Sequence, residues 1–367
     1  MMGADALANA LEGHKRVFVV TDAFMAESGR VAYVTDLVQA MGGECCVFSE
    51  CQADPDTATI SHGVSHLAEF KPDALVALGG GSPIDAAKAM RYFAMHNCGM
   101  ELLDFIAIPT TSGTGSEVTN YAVITDKEKA IKYPMMAPEL LPDISILDAA
   151  LVTSVPLGVT ANTGMDVLTH AIEAFSTKTR NDFTDAMAEK SIELVYHYLL
   201  KVYRDPTNIE YRQRMHNAAT LAGMAFSNSG LGLVHGMAHA LGATFHLAHG
   251  GACGLMLPYV MHFNAGCSTS LTPTAHRYAM IASTLGFDSQ STRQGALSVI
   301  RTVRQAQEKM NMPTNIQKAG VNETEFLSAL DAMAEKALND PCTAANVQPA
   351  TIDDIKDIYK KAYYGKY

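Results

Sequence analysis

Four histidines lie close together in one short segment, GLVHGMAHALGATFHLAHGG. His235 and His239 are four residues apart, and His246 and His249 are three residues apart. Residues with this spacing share one face of a helix, so each pair can present two imidazoles in the same direction. Such imidazoles can bind a metal ion or transfer a proton. They can also be polar residues of a buried helix that hydrogen-bond to backbone carbonyls.

The surroundings of these histidines contain no charged side chain, because residues 215–276 include no Asp, Glu, Lys or Arg. Gly, Ser, Asn and Thr interrupt the apolar residues, so this is not the long apolar stretch that crosses a membrane, and we expect no membrane association. A protein interior explains the composition better. We therefore expect the four histidines to be buried, each with a polar partner.

A carboxylate and a fifth histidine have the same helical spacing in TANTGMDVLTHAIEAF, where Asp166 and His170 are four residues apart. A catalytic divalent ion needs three or four protein ligands and one open position. The spacing favours a metal site, and it leaves the choice among six candidates open. The candidates are Asp166, His170, His235, His239, His246 and His249.

The bulk composition restricts the class of protein. The chain has 367 residues, 48% hydrophobic and 18% charged, which is typical of a globular protein of two domains. A net charge of −11 without a Lys/Arg-rich run argues against a nucleic acid partner. Seven cysteines without CxxC spacing, and an N-terminal segment without a basic region, predict reduced thiols in a cytoplasmic protein.

The elements that position these residues begin with three apolar runs: RVFVVTD (Arg16–Asp22), ECCVFSE (Glu44–Glu50) and DALVALGGG (Asp73–Gly81). They alternate with helical stretches. This order predicts parallel βαβ units in a Rossmann-like α/β domain whose sheet is covered on both faces.

The third run leads into GGGSPIDAAKAM. We expect Ser82 to be the N-cap of the next helix, Pro83 its first residue and Asp85 a capping-box acid. Glycines before a helix N-terminus let the backbone approach a ligand, and the free N–H groups favour an anion. The segment is therefore a candidate phosphate-binding turn.

A second strand ends in a hydroxyl-rich turn, IAIPTTSGTGSE, where Thr110, Thr111, Ser112 and Thr114 offer short donors. Two such turns at strand ends suit a dinucleotide, although the pattern is not GxGxxG. Asp22, at the end of the first strand, can accept hydrogen bonds from an adenosine ribose and repel a 2′-phosphate. This favours NAD over NADP.

After about residue 155 the β-branched runs stop and helical periodicity continues to the C-terminus. We predict a dinucleotide-binding α/β domain over residues 1–155. We predict an all-helical metal-binding and substrate domain over residues 156–367.

Together these segments resemble the iron-containing (group III) alcohol dehydrogenases. The matching motifs are VTD, GGGSPIDAAKA, AIPTTSGTGSEVT, ANTGMDVLTHAIEA, GLGLVHGMAHALGATFHLAHG and LPYVMHFN, in the family's order. The resemblance implies that Asp166, His170, His235 and His249 bind the metal, usually Fe²⁺, although the ligand set also suits Zn²⁺. It implies proton transfer by His239 and no ligand role for His246.

The resemblance also implies a homodimer that binds NAD and a substrate pocket beside Phe226. The residues that it places around NAD are Gly80, Gly81, Ser82, Asp85, Thr110, Thr111, Thr114 and Lys132.

Within the family, NDFTDAMAEK, MHNAATLAGMAFS and ATFHLAHG are similar to 1-propanol dehydrogenases of bacterial microcompartments. The implied reaction is NAD(H)-linked interconversion of small primary alcohols and aldehydes, such as 1-propanol and propionaldehyde, with microcompartment enzymes as partners. Lactaldehyde reductases and 1,3-propanediol dehydrogenases share nearly all of the motifs and are alternatives.

Two alternative functions lie outside alcohol dehydrogenase activity, and each requires different residues. A metal-dependent lyase of the dehydroquinate synthase type needs a basic pocket for a phosphorylated acid, and few Arg or Lys lie near the histidines. A catalytically silent scaffold does not need the full set of implied ligands.

Overall fold

The structure is a computed structural model, and it describes residues 4–127 and 131–367 apart from the side chains of Ala4, Ile131 and Lys132. The predicted cofactor contact through the Lys132 side chain therefore lies outside the described residues. The chain divides into two compact units, Met1–Ser154 and Val155–Tyr367.

The first unit contains a five-stranded parallel sheet with the strand order β2-β1-β3-β4-β7. Successive residues of a strand face opposite sides, and two separate apolar clusters cover the two faces, one with Phe18 and Leu75 and the other with Val17 and Val76. This confirms the predicted α/β fold with a covered parallel sheet. The strands are β1 (Arg16–Asp22), β2 (Glu44–Cys51), β3 (Ala74–Gly79), β4 (Asp104–Pro109) and β7 (Ile144–Ser145).

An antiparallel hairpin of two further strands lies between β4 and β7, and α-helices connect β1, β2, β3 and β4. The hairpin strands are β5 (Tyr121–Asp126) and β6 (Ile131–Met136). The helices of this unit are α1 (Ala4–Ala10), α2 (Ala23–Glu27), α3 (Ala32–Ala40), α4 (Thr57–Phe70) and α5 (Gly81–Cys98).

The second unit is helical, as predicted, and its helices enclose one large apolar core. They are α6 (Leu157–Ser176), α7 (Asp182–Arg204), α8 (Ile209–Ser229), α9 (Leu233–Phe245), α10 (His249–Asn264), α11 (Pro273–Thr284), α12 (Thr292–Lys309), α13 (Glu323–Leu338) and α14 (Ile352–Tyr364). Among the described residues of the chain, no helix is both long enough and apolar enough to cross a membrane.

The prediction that all four clustered histidines are buried is wrong for three of them. His235 is buried, whereas His239, His246 and His249 are exposed in this unit. His246 ends α9 in a left-handed conformation and His249 is the first residue of α10, so both lie at a connection between helices. The charge-free segment does supply core residues, but α9 exposes His239 and α10 exposes its first residue, His249.

Candidate metal centre and cofactor-binding turns

Four side chains of the second unit converge on one point. Asp166 and His170 come from α6, His235 from α9 and His249 from the start of α10. One potential ligand atom of each residue lies within 4.8 Å of those of the others. The Nε2 atoms of His170, His235 and His249 are 3.8, 3.9 and 3.4 Å from Asp166 Oδ1.

Local sequence explains how three helices bring these side chains together. Asp166 and His170 are one turn apart, so α6 presents both on one face. Gly250 then allows the start of α10 to lie directly against α6, because a Cβ atom at this position would overlap the carbonyl oxygen of Asn162. The close approach carries His249 to Asp166.

The donor set fits a divalent metal ion. Asp166 Oδ1 and His235 Nε2 are buried and have no hydrogen-bond partner among the described residues, which is costly for polar atoms unless a cation satisfies them. Two ligands of a tetrahedral ion, each about 2.0–2.1 Å from it, lie about 3.3 Å apart. The observed separations from Asp166 Oδ1 are close to this value, so small side-chain adjustments suffice.

The protonation states also suit metal binding. Burial lowers the pKa of His170 to about 3 and lowers the pKa of His235 well below its usual value. Burial opposes ionisation of Asp166, but the facing imidazoles and a hydrogen bond from the Cys253 thiol hold its pKa below the usual range. Neutral imidazoles and an ionised carboxylate are the forms that bind a metal.

Sequence reasoning missed Glu173, which holds His235 in position. Its Oε2 lies 2.5 Å from His235 Nδ1, and its Oε1 accepts the backbone N–H of Val234 at 2.7 Å. Burial raises the pKa of Glu173 to about 7, although hydrogen bonds from backbone N–H groups oppose the rise. A carboxylate at Nδ1 leaves Nε2 free of a proton, which is the usual support for a histidine ligand. The sequence did contain a signal for this role, because Glu173 is seven residues after Asp166 and therefore lies on the same face of the helix.

We predict that Glu173→Gln weakens Zn²⁺ binding roughly 10- to 100-fold, because an amide cannot accept from both His235 and Val234. Its NH₂ group would favour a proton on His235 Nε2 and so block the metal. Chelator competition measures the dissociation constant directly, and Glu335→Gln, an exposed glutamate of α13, is the control. Equal Zn²⁺ affinity in Glu173→Gln and wild type would show that Glu173 does not support the site.

His239 lies beside the four-residue cluster and has its own carboxylate partner. Its Nδ1 is 2.8 Å from Asp340 Oδ2, and its ring stacks with that of His249 at a centroid distance of 5.3 Å. The backbone N–H of Cys342 donates to Asp340 Oδ1. Burial would raise the pKa of Asp340, but the hydrogen bonds from His239 and Cys342 hold it below its usual value. Sequence reasoning missed Asp340, which lies 101 residues after His239.

Two other residues singled out from the sequence, Phe226 and His246, lie outside the four-residue cluster. Phe226 packs its ring 4.5 Å from the ring of His170, which places an apolar surface beside the cluster. His246 is exposed, has a φ of 55° and does not belong to the cluster. The structure thus brings four of the six candidates together, with His239 adjacent and His246 apart.

In the first unit the two predicted turns lie next to each other at the ends of β3 and β4. Thr110 donates its backbone N–H to Gly79 O at 2.9 Å. A Cβ atom at Gly81 would lie only 2.8 Å from Thr114 Cγ2, and one at Gly80 would lie 3.3 Å from Thr111 Oγ1. A side chain at position 81 would therefore displace Thr114, so glycine allows the two turns to approach closely.

The predicted capping of α5 is wrong. The helix begins at Gly81 and its N-cap is Gly80, so Ser82 and Pro83 are its second and third residues. The N-cap supplies no side-chain hydrogen bond, and Asp85 is not a capping-box acid. The capping differs because of tertiary contacts. The turn packs against the neighbouring threonines, and the Asp85 carboxylate has hydrogen-bond partners elsewhere in the unit.

Asp85 belongs to a buried polar network that shapes the second turn. Its carboxylate accepts from Ser116 Oγ at 2.5 Å and from the backbone N–H of Val123 at 3.0 Å. Lys88, fully buried, donates to Ser116 Oγ at 2.9 Å, and burial lowers the pKa of Lys88 to about 8. These bonds connect α5 to the turn after β4; a contact between Asp85 and a cofactor stays a prediction.

Asp22 ends β1 and caps the short helix α2, whose Met25 N–H donates to Asp22 Oδ1 at 2.9 Å. The side chain is partly exposed. A carboxylate has about four acceptor positions, so Asp22 retains the capacity to bind the hydroxyls of a ribose.

Comparison with known proteins shows the family of the chain. Models of the iron-containing alcohol dehydrogenase family match residues 2–149, and its C-terminal model matches residues 160–363. The chain is 40% identical to 1-propanol dehydrogenase PduQ of Salmonella typhimurium over 95% of its length and 93% of the relative's. It is 39% identical to an NADPH-dependent butanol dehydrogenase of Clostridium saccharobutylicum over 97% of its length and 93% of the relative's.

A solved structure of an iron-containing alcohol dehydrogenase from Thermococcus thioreducens matches with a TM-score of 0.90 and 36% identity, covering 100% of this chain and 98% of that one. The chain therefore belongs to the iron-containing alcohol dehydrogenase family. It is an oxidoreductase of that family, an alcohol dehydrogenase.

Proposed function

We propose that the chain interconverts small primary alcohols and their aldehydes, with 1-propanol and propionaldehyde as the leading pair, using NAD(H) and one Fe²⁺ or Zn²⁺ ion. The observation that carries the metal assignment is the convergence of Asp166, His170, His235 and His249 around buried atoms without a partner. The leading substrate rests on the likeness to 1-propanol dehydrogenase PduQ.

In this proposal Asp166, His170, His235 and His249 hold the ion, and Glu173 keeps His235 in the metal-binding tautomer. When bound, the ion would supply Lewis acidity at the substrate oxygen, and the nicotinamide would be the hydride acceptor or donor. Phe226 presents an apolar surface beside His170, which excludes water and suits a short aliphatic chain.

His239 is the proposed proton acceptor for alcohol oxidation and the donor for aldehyde reduction. Asp340 accepts from Nδ1, which leaves Nε2 to accept a proton and stabilises the imidazolium that results. With 43% of its side chain exposed in this unit, His239 can pass the proton on to solvent.

The two turns of the first unit are the proposed cofactor site. Since Gly80 caps α5 without a side chain, the first N–H groups of the helix can bind a pyrophosphate. The hydroxyls of the neighbouring turn add donors. The proposed contacts are Gly80, Gly81, Ser82, Asp85, Thr110, Thr111, Thr114 and Lys132.

Asp22 is the proposed determinant of the choice between NAD and NADP. This choice needs a test because one relative of the chain is NADPH-dependent. We predict that Asp22→Gly raises kcat/KM for NADPH roughly tenfold, because a repulsive charge near the 2′-phosphate is removed. Glycine is tolerated as an N-cap, so α2 should persist. Steady-state kinetics with both cofactors measure the ratio. If wild type already uses NADPH as well as NADH, or the variant still refuses NADPH, Asp22 is not the determinant.

We also propose that the enzyme is a homodimer that works in the cytoplasm, inside a bacterial microcompartment with enzymes that supply its aldehyde. Likeness to 1-propanol dehydrogenase PduQ supports the microcompartment part of this proposal. Light scattering of the purified enzyme tests the dimer, and co-purification with microcompartment shells tests the location.

An anaerobic activity screen tests the proposed reaction. Enzyme reconstituted with Fe²⁺ or Zn²⁺ should oxidise NADH with propionaldehyde and form one alcohol per NADH, and metal-stripped enzyme should be inactive. Lactaldehyde and 3-hydroxypropionaldehyde in the same screen separate the alternative substrates. Metal-loaded enzyme that oxidises no NADH with any small aldehyde would contradict the proposal, and conversion of a phosphorylated acid without net NADH change would favour the lyase.

A further inference from the structure

Two histidines on the outer face of the first unit lie in an arrangement that the alcohol dehydrogenase reaction does not use. His62 and His66 are one turn apart on α4, and their Nε2 atoms are 3.1 Å from each other. Their ring planes are nearly perpendicular, at 82°, with centroids 4.5 Å apart. His62 has 51% of its side chain exposed, so the pair is accessible to solvent.

Two residues of the neighbouring strand β2 hold these rings in place. Glu50 Oε2 lies 2.8 Å from His62 Nδ1. The Phe48 ring makes edge contacts with both imidazoles at centroid distances of 5.8 Å. When Glu50 accepts the Nδ1 proton, His62 Nε2 accepts the hydrogen bond from His66 Nε2, and a metal ion would take the place of that shared proton. The rings are thus ordered before any ligand arrives, which reduces the entropy lost on binding.

We propose that His62 and His66 form a second metal site, which binds a borderline divalent ion such as Zn²⁺, Ni²⁺ or Cu²⁺ through both Nε2 atoms. Two nitrogens that bind one ion at about 2.0–2.1 Å lie about 3.3 Å apart in tetrahedral geometry, close to the observed 3.1 Å. Imidazole ligands select such ions over Mg²⁺ and Ca²⁺. Glu50 is the outer partner that orients His62, and water completes the coordination.

The proposed site lies where α4 packs against β2. Because Glu50 belongs to β2 and both ligands belong to α4, a bound ion strengthens the attachment of the helix to an edge strand of the sheet. With this second site, each chain should bind more than one transition-metal ion when divalent metal is in excess. The additional ion would belong to the first unit and would have no role in the chemistry at Asp166.

Calorimetric titration of the metal-loaded enzyme with NiCl₂ tests the proposal. Wild type should bind one more Ni²⁺ than His62→Ala and His66→Gln, while activity with propionaldehyde stays the same in all three. His276→Ala, which removes an exposed histidine of α11, is the matched control and should bind Ni²⁺ like wild type. Glu50→Gln should keep the site with roughly tenfold weaker affinity.

Circular dichroism and activity establish that each variant is folded, and the glutamine at position 66 preserves a polar side chain should alanine at position 62 disturb α4. If wild type, His62→Ala and His66→Gln bind the same number of Ni²⁺ ions with the same affinity, the second site does not exist. This result would leave the centre at Asp166 untouched, so the two proposals succeed or fail separately.

Discussion

His249→Ala should lose its metal ion and about 10³-fold of kcat/KM together, while the second unit stays folded. His249 supplies one of four converging ligand atoms, 3.4 Å from Asp166 Oδ1. Lewis acid stabilisation of the reacting oxygen contributes several kcal/mol to catalysis, which corresponds to this loss in rate. The side chain is 44% exposed, so its removal leaves no large buried cavity and the stability should change little.

Metal analysis after anaerobic purification and kinetics with propionaldehyde measure the two effects on one sample. The matched control is His246→Asn, because His246 is an exposed histidine three residues earlier that is outside the cluster. Asparagine is chosen since it tolerates the left-handed conformation at this position better than alanine. A His249→Ala enzyme that retains one tightly bound ion and full activity would remove His249 from the metal centre.

His239→Ala should keep the metal and lower kcat about 100-fold, which is typical of the loss of a general acid–base group. The histidine is adjacent to the cluster but is not one of its four members. Its removal leaves the ion in place and removes the group that accepts the proton. The pH dependence of kcat should change as well, because the group that accepts the proton is absent.

Asp340→Asn is the companion variant for this prediction. An asparagine keeps the size of the side chain but weakens the hold on His239 Nδ1 and no longer stabilises an imidazolium. We expect full metal content and a smaller loss of kcat than in His239→Ala. Unchanged kinetics in both variants would exclude His239 from proton transfer.

The fold could be predicted because strand and helix periodicities are local signals. The run RVFVVTD coincides with β1, and DALVALGGG contains β3, since continuous apolar residues are what a sheet covered on both faces requires. The capping of α5 could not be predicted in this way. Ser82 and Asp85 have the local pattern of a helix start, but the hydrogen bonds of Asp85 to Ser116 and Val123 are tertiary and override it.

In the candidate site, too, local sequence patterns predicted some residues, whereas others are brought to the site only by the tertiary fold. Helical spacing identified Asp166 with His170, and the family resemblance selected His235 and His249. Asp340 had no local signal, because it is an ordinary acid in a loop that only the fold brings to His239. Exposure of His239 and His249 was also missed, since a charge-free sequence does not reveal which side of a helix faces outward.

Anomalous diffraction at the iron edge, from crystals of the anaerobically reconstituted enzyme, tests the metal centre most directly. We predict one strong peak in the second unit, about 2.0–2.2 Å from an Asp166 carboxylate oxygen and from one nitrogen each of His170, His235 and His249. A map without a peak among these four side chains, in enzyme that is iron-loaded and active, would contradict it.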